Sequence, residues 1–157
     1  MLELTNAHDL LRFAIAIEEN GRQVYEHFEQ DARDEELRSA WAFLKAEEVL
    51  HGRRFERLLA GLKGPPAFSD PYLNVVASNT VFTDSRLARK MLAGIDSDVE
   101  ALDFAILIEK ESILTYLLMR DPLPPDARPV LDGVVAEEKN HLAQLVQLRD
   151  RLLDKKG

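Results

Sequence analysis

The segments Ala46-Glu-Glu-Val-Leu-His51 and Ala136-Glu-Glu-Lys-Asn-His141 share one pattern, Ala-Glu-Glu-x-x-His. Their setting decides the fold. Around the first, Leu37, Trp41, Leu44, Glu48, His51, Phe55, Leu58 and Leu62 follow one another in alternating steps of four and three. Around the second, Leu131, Val134, Glu138, His141, Leu145, Leu148 and Leu152 do the same. Side chains so spaced lie on one face of an α-helix, and an unbroken seam of this kind is buried against other helices. Each of two apolar seams thus carries a Glu and a His, one turn apart, at its centre.

Working outward, the pattern predicts four long helices, over Asn6–Gln30, Asp34–Leu62, Ser97–Arg120 and Ala127–Lys155. Asn6 with Asp9 and Ser97 with Glu100 have the spacing of capping boxes. Acidic Asp34, Glu35 and Glu36 suit the positive end of the second helix. Helices one and two join tightly near residues 31–33, and helices three and four through the proline-rich turn Asp121–Asp126. Between helices two and three lies a long connection, Lys63–Asp96, punctuated by Gly64, Pro65, Pro66 and Pro71. Within it, Asp84–Ala93 reads as a short helix capped by Thr83 or Asp84 and stopped by Gly94, and Asn79–Thr83 hints weakly at a strand. Apolar Tyr72, Leu73, Val75, Val76 and Phe82 are expected to cover the bundle or meet another copy of it. The fold class is therefore all-α, one domain over residues 1–157. Two antiparallel hairpins with a long crossover between helices two and three is the connectivity of a ferritin-like four-helix bundle.

Helices one and three each add one inward carboxylate. Glu18 shares its face with Leu11, Ala14, Ile15, Gly21 and Tyr25, and Glu109 with Leu102, Ala105, Ile106, Ile113 and Tyr116. Glu19 and Glu111 fall off these stripes and are expected to face water. The spacings repeat: from Glu18 a Tyr lies at +7, a Glu at +30 and a His at +33, and from Glu109 they lie at +7, +29 and +32. Two hairpins on one plan suggest an internal duplication, each half offering half a site. Buried carboxylates are costly unless paired. Two divalent cations would balance the four charges of Glu18, Glu48, Glu109 and Glu138, with His51 and His141 completing the donor set. Mixed oxygen and nitrogen donors suit iron, or manganese, better than calcium. The alternative is a metal-free Glu–His hydrogen-bond network. Tyr25 and Tyr116 are expected to hydrogen-bond to the carboxylates, Trp41 to be core, Gly21 to allow a close approach, and His8 and His27 to lie at the surface. Gly133 is an unexplained weak point in the fourth helix.

Composition narrows the chemistry. There is no cysteine, so thiol catalysis, disulfides and cysteine-ligated clusters are excluded. The formal net charge of −8 argues against nucleic acid as a partner. No apolar run approaches the ~20 residues of a membrane span. Glu3, Asp9 and Arg12 interrupt the region where a signal peptide keeps its apolar core, so a cytoplasmic location is expected.

The chain resembles the rubrerythrin-like branch of the ferritin-like di-iron proteins. Glu18-Glu-Asn-Gly-Arg-Gln-Val-Tyr25 and Glu109-Lys-Glu-Ser-Ile-Leu-Thr-Tyr116 are similar to its two Glu-x6-Tyr segments, and the two Ala-Glu-Glu-x-x-His segments to its ligand pairs. The resemblance implies two iron ions per chain. Glu48 and Glu138 would bridge them, Glu18 and His51 would complete one and Glu109 and His141 the other. It also implies a homodimer and an oxidoreductase that reduces hydrogen peroxide or dioxygen in oxidative-stress defence. Full rubrerythrins carry a four-cysteine rubredoxin domain. None is present, so electrons are expected from a separate donor. Ser112 stands where rubrerythrins place a further Glu, which bears on peroxidase action. Alternatives are a ferroxidase serving iron storage or delivery, another dimetal reaction such as catalase or oxygenase chemistry, and a non-enzymatic helical interaction module.

Overall fold

The structure is a computed structural model that describes residues 2–64, 67–81, 83 and 85–156. Six α-helices are present, α1 (Ala7–Asp31), α2 (Glu35–Gly61), α3 (Pro71–Ser78), α4 (Ser85–Ala93), α5 (Asp98–Met119) and α6 (Arg128–Lys156), with a 3-10 turn at Pro125–Ala127 and no strand among the described residues. The four long helices fall within one or two residues of the expected bounds. Three of their starts are fixed by side chains: Asn6, Asp34 and Ser97 each accept a backbone N–H from the first turn. Both expected capping boxes close one residue earlier than a standard box. Asp9 Oδ2 accepts from Thr5 N at 3.0 Å, and Glu100 Oε2 accepts from Asp96 N at 2.5 Å.

Helix α1 packs along α2, and α5 along α6, so the bundle is two hairpins. Two apolar layers fill it. One joins Leu10, Leu11, Ile17, Phe55, Met119 and Leu131. The other joins Phe28, Leu37, Trp41, Leu102, Ala105 and Leu145. Between them the seams of α2 and α6 present Glu48, His51, Glu138 and His141, all buried. The polar residues thus form a middle layer sealed by apolar residues on both sides.

The crossover departs from the sequence reading in three ways. Where the weak strand was expected, Asn79 caps α3 with its N–H on Val76 O at 3.1 Å, and Thr83 N donates to Thr80 O at 3.2 Å. Helix α3 itself was not expected. Pro71 at its first turn needs no hydrogen-bond partner, and Asp70 caps Leu73 N at 3.0 Å. Leu73 and Ala77 are buried against the first apolar layer, while Tyr72 and Val75 are exposed. Phe82, and Asp84 as a cap for α4, lie outside the described residues. Finally, Glu111 is half-buried rather than solvated, because the turn after α3 sits over it: Val81 N donates to Glu111 Oε2 at 2.9 Å. This cover accounts for part of the apolar surface of α5, while Leu114 and Leu117 remain exposed. The crossover is also tied to the chain start. Leu2 N donates to Ser78 Oγ, Leu4 N to Asn74 Oδ1, and Phe68 N to Thr5 O, at 3.0, 2.9 and 2.8 Å.

Candidate metal centre

Glu18 and Glu109 reach the middle layer from α1 and α5, and Glu48, His51, Glu138 and His141 from α2 and α6. All six are at most 5% exposed. They fall into two groups whose ligand-type atoms lie within 4.8 Å of one another: Glu18, Glu48, His51 and Glu138, and Glu109, Glu138 and His141. Glu138 belongs to both groups and Glu48 to the first only. The two imidazoles face each other with ring centres 5.8 Å apart and planes 22° from parallel. Of the expected surface histidines, His27 is exposed and His8 half-buried, and neither joins a group.

Each tyrosine serves the opposite hairpin. Tyr25 on α1 donates to Glu109 Oε1 at 2.5 Å, and Tyr116 on α5 donates to Glu18 Oε1 at 2.6 Å. Both rings are fully buried, one in each apolar layer. Trp41 is core and stacks on Tyr25 at 5.6 Å. Gly21 has a specific reason: a Cβ there would stand 2.7 Å from Glu48 Oε2, so only glycine leaves room for that carboxylate. Gly133 meets nothing within 4 Å, and the structure gives it no role. Ser112 is buried and turns its hydroxyl back onto its own helix, donating to Ile108 O at 2.9 Å.

The electrostatics are those of crowded, dry carboxylates. Burial pushes Glu48 and Glu109 well above the usual carboxylate range, and neighbouring charges add to it: Glu18 and Glu138 for Glu48, Glu138 for Glu109. Burial and the charge of Glu138 raise Glu18, against the pull of Glu48 and His51. Burial also acts to raise Glu138, but polar contacts from Glu109, His141 and His51 outweigh it and hold this carboxylate low. His51 is disfavoured as a cation by burial, yet its contacts with Glu138 and Glu18 push it up to about 11. Tyr25 and Tyr116 are raised well above 10.0, first by burial and then by the carboxylates each faces.

The donors fit a pair of metal ions. Glu18 Oε2, Glu109 Oε2, Glu138 Oε2 and His141 Nδ1 are buried without a hydrogen-bond partner. An orphaned buried acceptor is costly, and four in one layer ask for a cation. Four carboxylates and two imidazoles are the oxygen and nitrogen donors that iron or manganese takes. A cleft of about 160 Å³ lined by Glu18, Arg22, Glu48, Gly52, Arg53 and Glu56 opens beside the first group.

Glu47 and Glu137, each the first Glu of an Ala-Glu-Glu-x-x-His segment, were missed by the sequence reading. Glu137 Oε2 lies 2.6 Å from His51 Nε2 and 3.1 Å from Arg54 Nη1, and Glu47 Oε2 lies 3.8 Å from His141 Nε2. The signal was the doubled Glu, repeated in both hairpins.

Two antiparallel helical hairpins enclosing a buried carboxylate–histidine layer define a ferritin-like carboxylate bundle. The sequence matches the rubrerythrin family over residues 9–149, and the chain belongs to that family. In fold it is similar to a crystal structure from Thermotoga maritima assigned to the ferritin-like diiron-carboxylate proteins. The identity is 24%, the TM-score 0.74, and the match covers 96% of this chain and 98% of that one. No curated protein matches the chain. No helix among the described residues is long and apolar enough to cross a membrane.

Proposed function

We propose that the protein is a di-iron oxidoreductase that reduces hydrogen peroxide or dioxygen with electrons from a separate donor. The observation that carries this reading is the buried layer of four carboxylates and two imidazoles in which four ligand atoms lack a hydrogen-bond partner. Glu18, Glu48, His51 and Glu138 would hold one ion, and Glu109, Glu138 and His141 the other. Iron supplies the one-electron chemistry that peroxide or dioxygen reduction needs. The chain supplies the rest. Apolar layers on both sides keep bulk water away. Tyr25 and Tyr116 fix one oxygen each of Glu109 and Glu18, leaving the second oxygen of each free for a cation. The cleft beside Glu18 and Glu48, about 160 Å³, has room for dioxygen or hydrogen peroxide. No cysteine among these 157 residues can relay electrons to the site, and the reading takes the donor to be a separate molecule.

The test is anaerobic Fe²⁺ loading, removal of unbound iron, and single-turnover reaction with limiting peroxide or dioxygen. The reading expects close to two irons per chain, retained after desalting, and stoichiometric oxidation restored by an external reductant. Loss of iron in Glu48→Ala would accompany it. Many more irons per chain would favour ferroxidase and storage. No retained iron in the folded protein would leave a metal-free helical module.

A further inference from the structure

The two histidines occupy equivalent places in the two hairpins, but their outer nitrogens are held unequally. His51 Nε2 lies 2.6 Å from Glu137 Oε2, and Arg54 Nη1 holds the same oxygen at 3.1 Å. A bond this short to a carboxylate requires the proton on Nε2. It therefore fixes the ring orientation and keeps Nδ1, the inward nitrogen 2.9 Å from Glu138 Oε1, as the atom that would face a metal. His51 is wholly buried, so the ring has no freedom to turn. His141 has no such brace. Glu47 Oε2 stands 3.8 Å from its Nε2, beyond hydrogen-bond range, and its Nδ1 has no partner. The residue corresponding to Arg54 in the second hairpin, three past the histidine, is Gln144. The group around His51 also gathers three carboxylates, against two around His141.

We propose that Glu137, pinned by Arg54, is a positioning residue that makes the two metal positions unequal. The position built on His51 fills first and holds tightly, and the position built on His141 fills second and exchanges with solution. This inference rests on the dimetal reading above. A carboxylate on a ligating imidazole typically changes metal affinity about 10–100-fold, so the asymmetry is large enough to order the loading. The edge of exposed Phe43 packs against the His141 ring, with ring centres 5.9 Å apart, and offers it no polar brace.

The experiment is a Co²⁺ titration of the metal-free protein, followed by the visible ligand-field bands, which report each ion's surroundings without turnover. The wild type is expected to take up two equivalents in two phases. His51→Ala should remove the tighter phase, and His141→Ala the weaker. Glu137→Gln keeps the size and an acceptor but loses the charge. It should weaken the tighter phase about 10–100-fold and shift its bands, with the weaker phase unmoved. Arg54→Gln should move the tighter phase in the same direction by less, and provides the comparison if Glu137→Gln proves poorly folded. Glu47→Gln should move the tighter phase less than Glu137→Gln does, because the Glu47 carboxylate lies within 4.8 Å of His51 and Glu137 but does not hold the ring as Glu137 does. Two equal phases in the wild type overturn the proposal. So do equal effects of Glu47→Gln and Glu137→Gln, or loss of the tighter phase in His141→Ala. No Co²⁺ uptake by the wild type overturns the dimetal reading itself, a result distinct from uptake in one undivided phase.

Discussion

Tyr25 on α1 donates its hydroxyl to Glu109 on α5, and Tyr116 on α5 returns the same bond to Glu18 on α1. The bracing is crossed. Neither hairpin steadies its own carboxylate. It follows that Tyr25→Phe should weaken the metal position that His141→Ala removes, and Tyr116→Phe the one that His51→Ala removes, each by about 10–100-fold. Metal titration of the four variants checks the pairing. An effect confined to the tyrosine's own hairpin would contradict it.

Gly21→Ala sets helix propensity against the site. Alanine in a helix gains about 1 kcal/mol over glycine. Its Cβ, however, would press on Glu48 Oε2 from 2.7 Å. The metal-free variant should melt close to the wild type or above it. The rise in melting temperature on adding metal should shrink, since Glu48 no longer rests where it did. Thermal melts with and without metal measure both halves.

Gly133→Ala has no such opposition, because nothing lies within 4 Å of the added carbon. It should stabilise the protein by about 0.5–1 kcal/mol, raising the melting temperature by about 1–4 °C with metal binding unchanged. Calorimetry at matched metal loading decides it.

The metal-free protein should lose stability as pH rises. Glu18, Glu48 and Glu109 all sit above 4.5 in the fold. A carboxyl raised on folding stabilises below its unfolded value, and that contribution is lost as pH climbs through the raised one. Glu138 is lowered and acts in the opposite sense, and the His51 contribution, present below 6.5, is lost as pH climbs through about 11. The Glu138 contribution is already complete above 4.5, so the metal-free melting temperature should fall as pH rises above 4.5. Bound metal requires the deprotonated ligands, so the loaded protein should show the reverse slope. Melting curves across this range, with chelator and with metal, provide the comparison.

Loading alone should stabilise. At a hundredfold excess of free metal over its Kd, binding adds about 2.7 kcal/mol, and chelation should reverse it. Denaturant unfolding with and without chelator is the measurement.

The four long helices were legible because their seams are unbroken and because Asn6, Asp34 and Ser97 are good caps. Glu48, His51, Glu138 and His141 stood out for a related reason: a charged residue in a seam contradicts its surroundings, and a contradiction repeated in two helices is hard to miss. What depends on one helix's rotation and height against another was not legible. The crossing of Tyr25 to Glu109 is of this kind, since spacing along α1 places Tyr25 near Glu18 and says nothing of α5. The hold of Glu137 on His51 is another. Helix α3 escaped because eight residues are too few for a period to emerge, and with it went the burial of Glu111.

The bonds from Leu2 and Leu4 to Ser78 and Asn74 span 76 and 70 positions in the chain. During synthesis Leu2 and Leu4 emerge well before their partners, and α3 rests on α5, made later still. The cost of closing so long a loop is met only once the bundle exists to receive it. Leu2 and Leu4 are thus among the last residues of the bundle to be fixed in place.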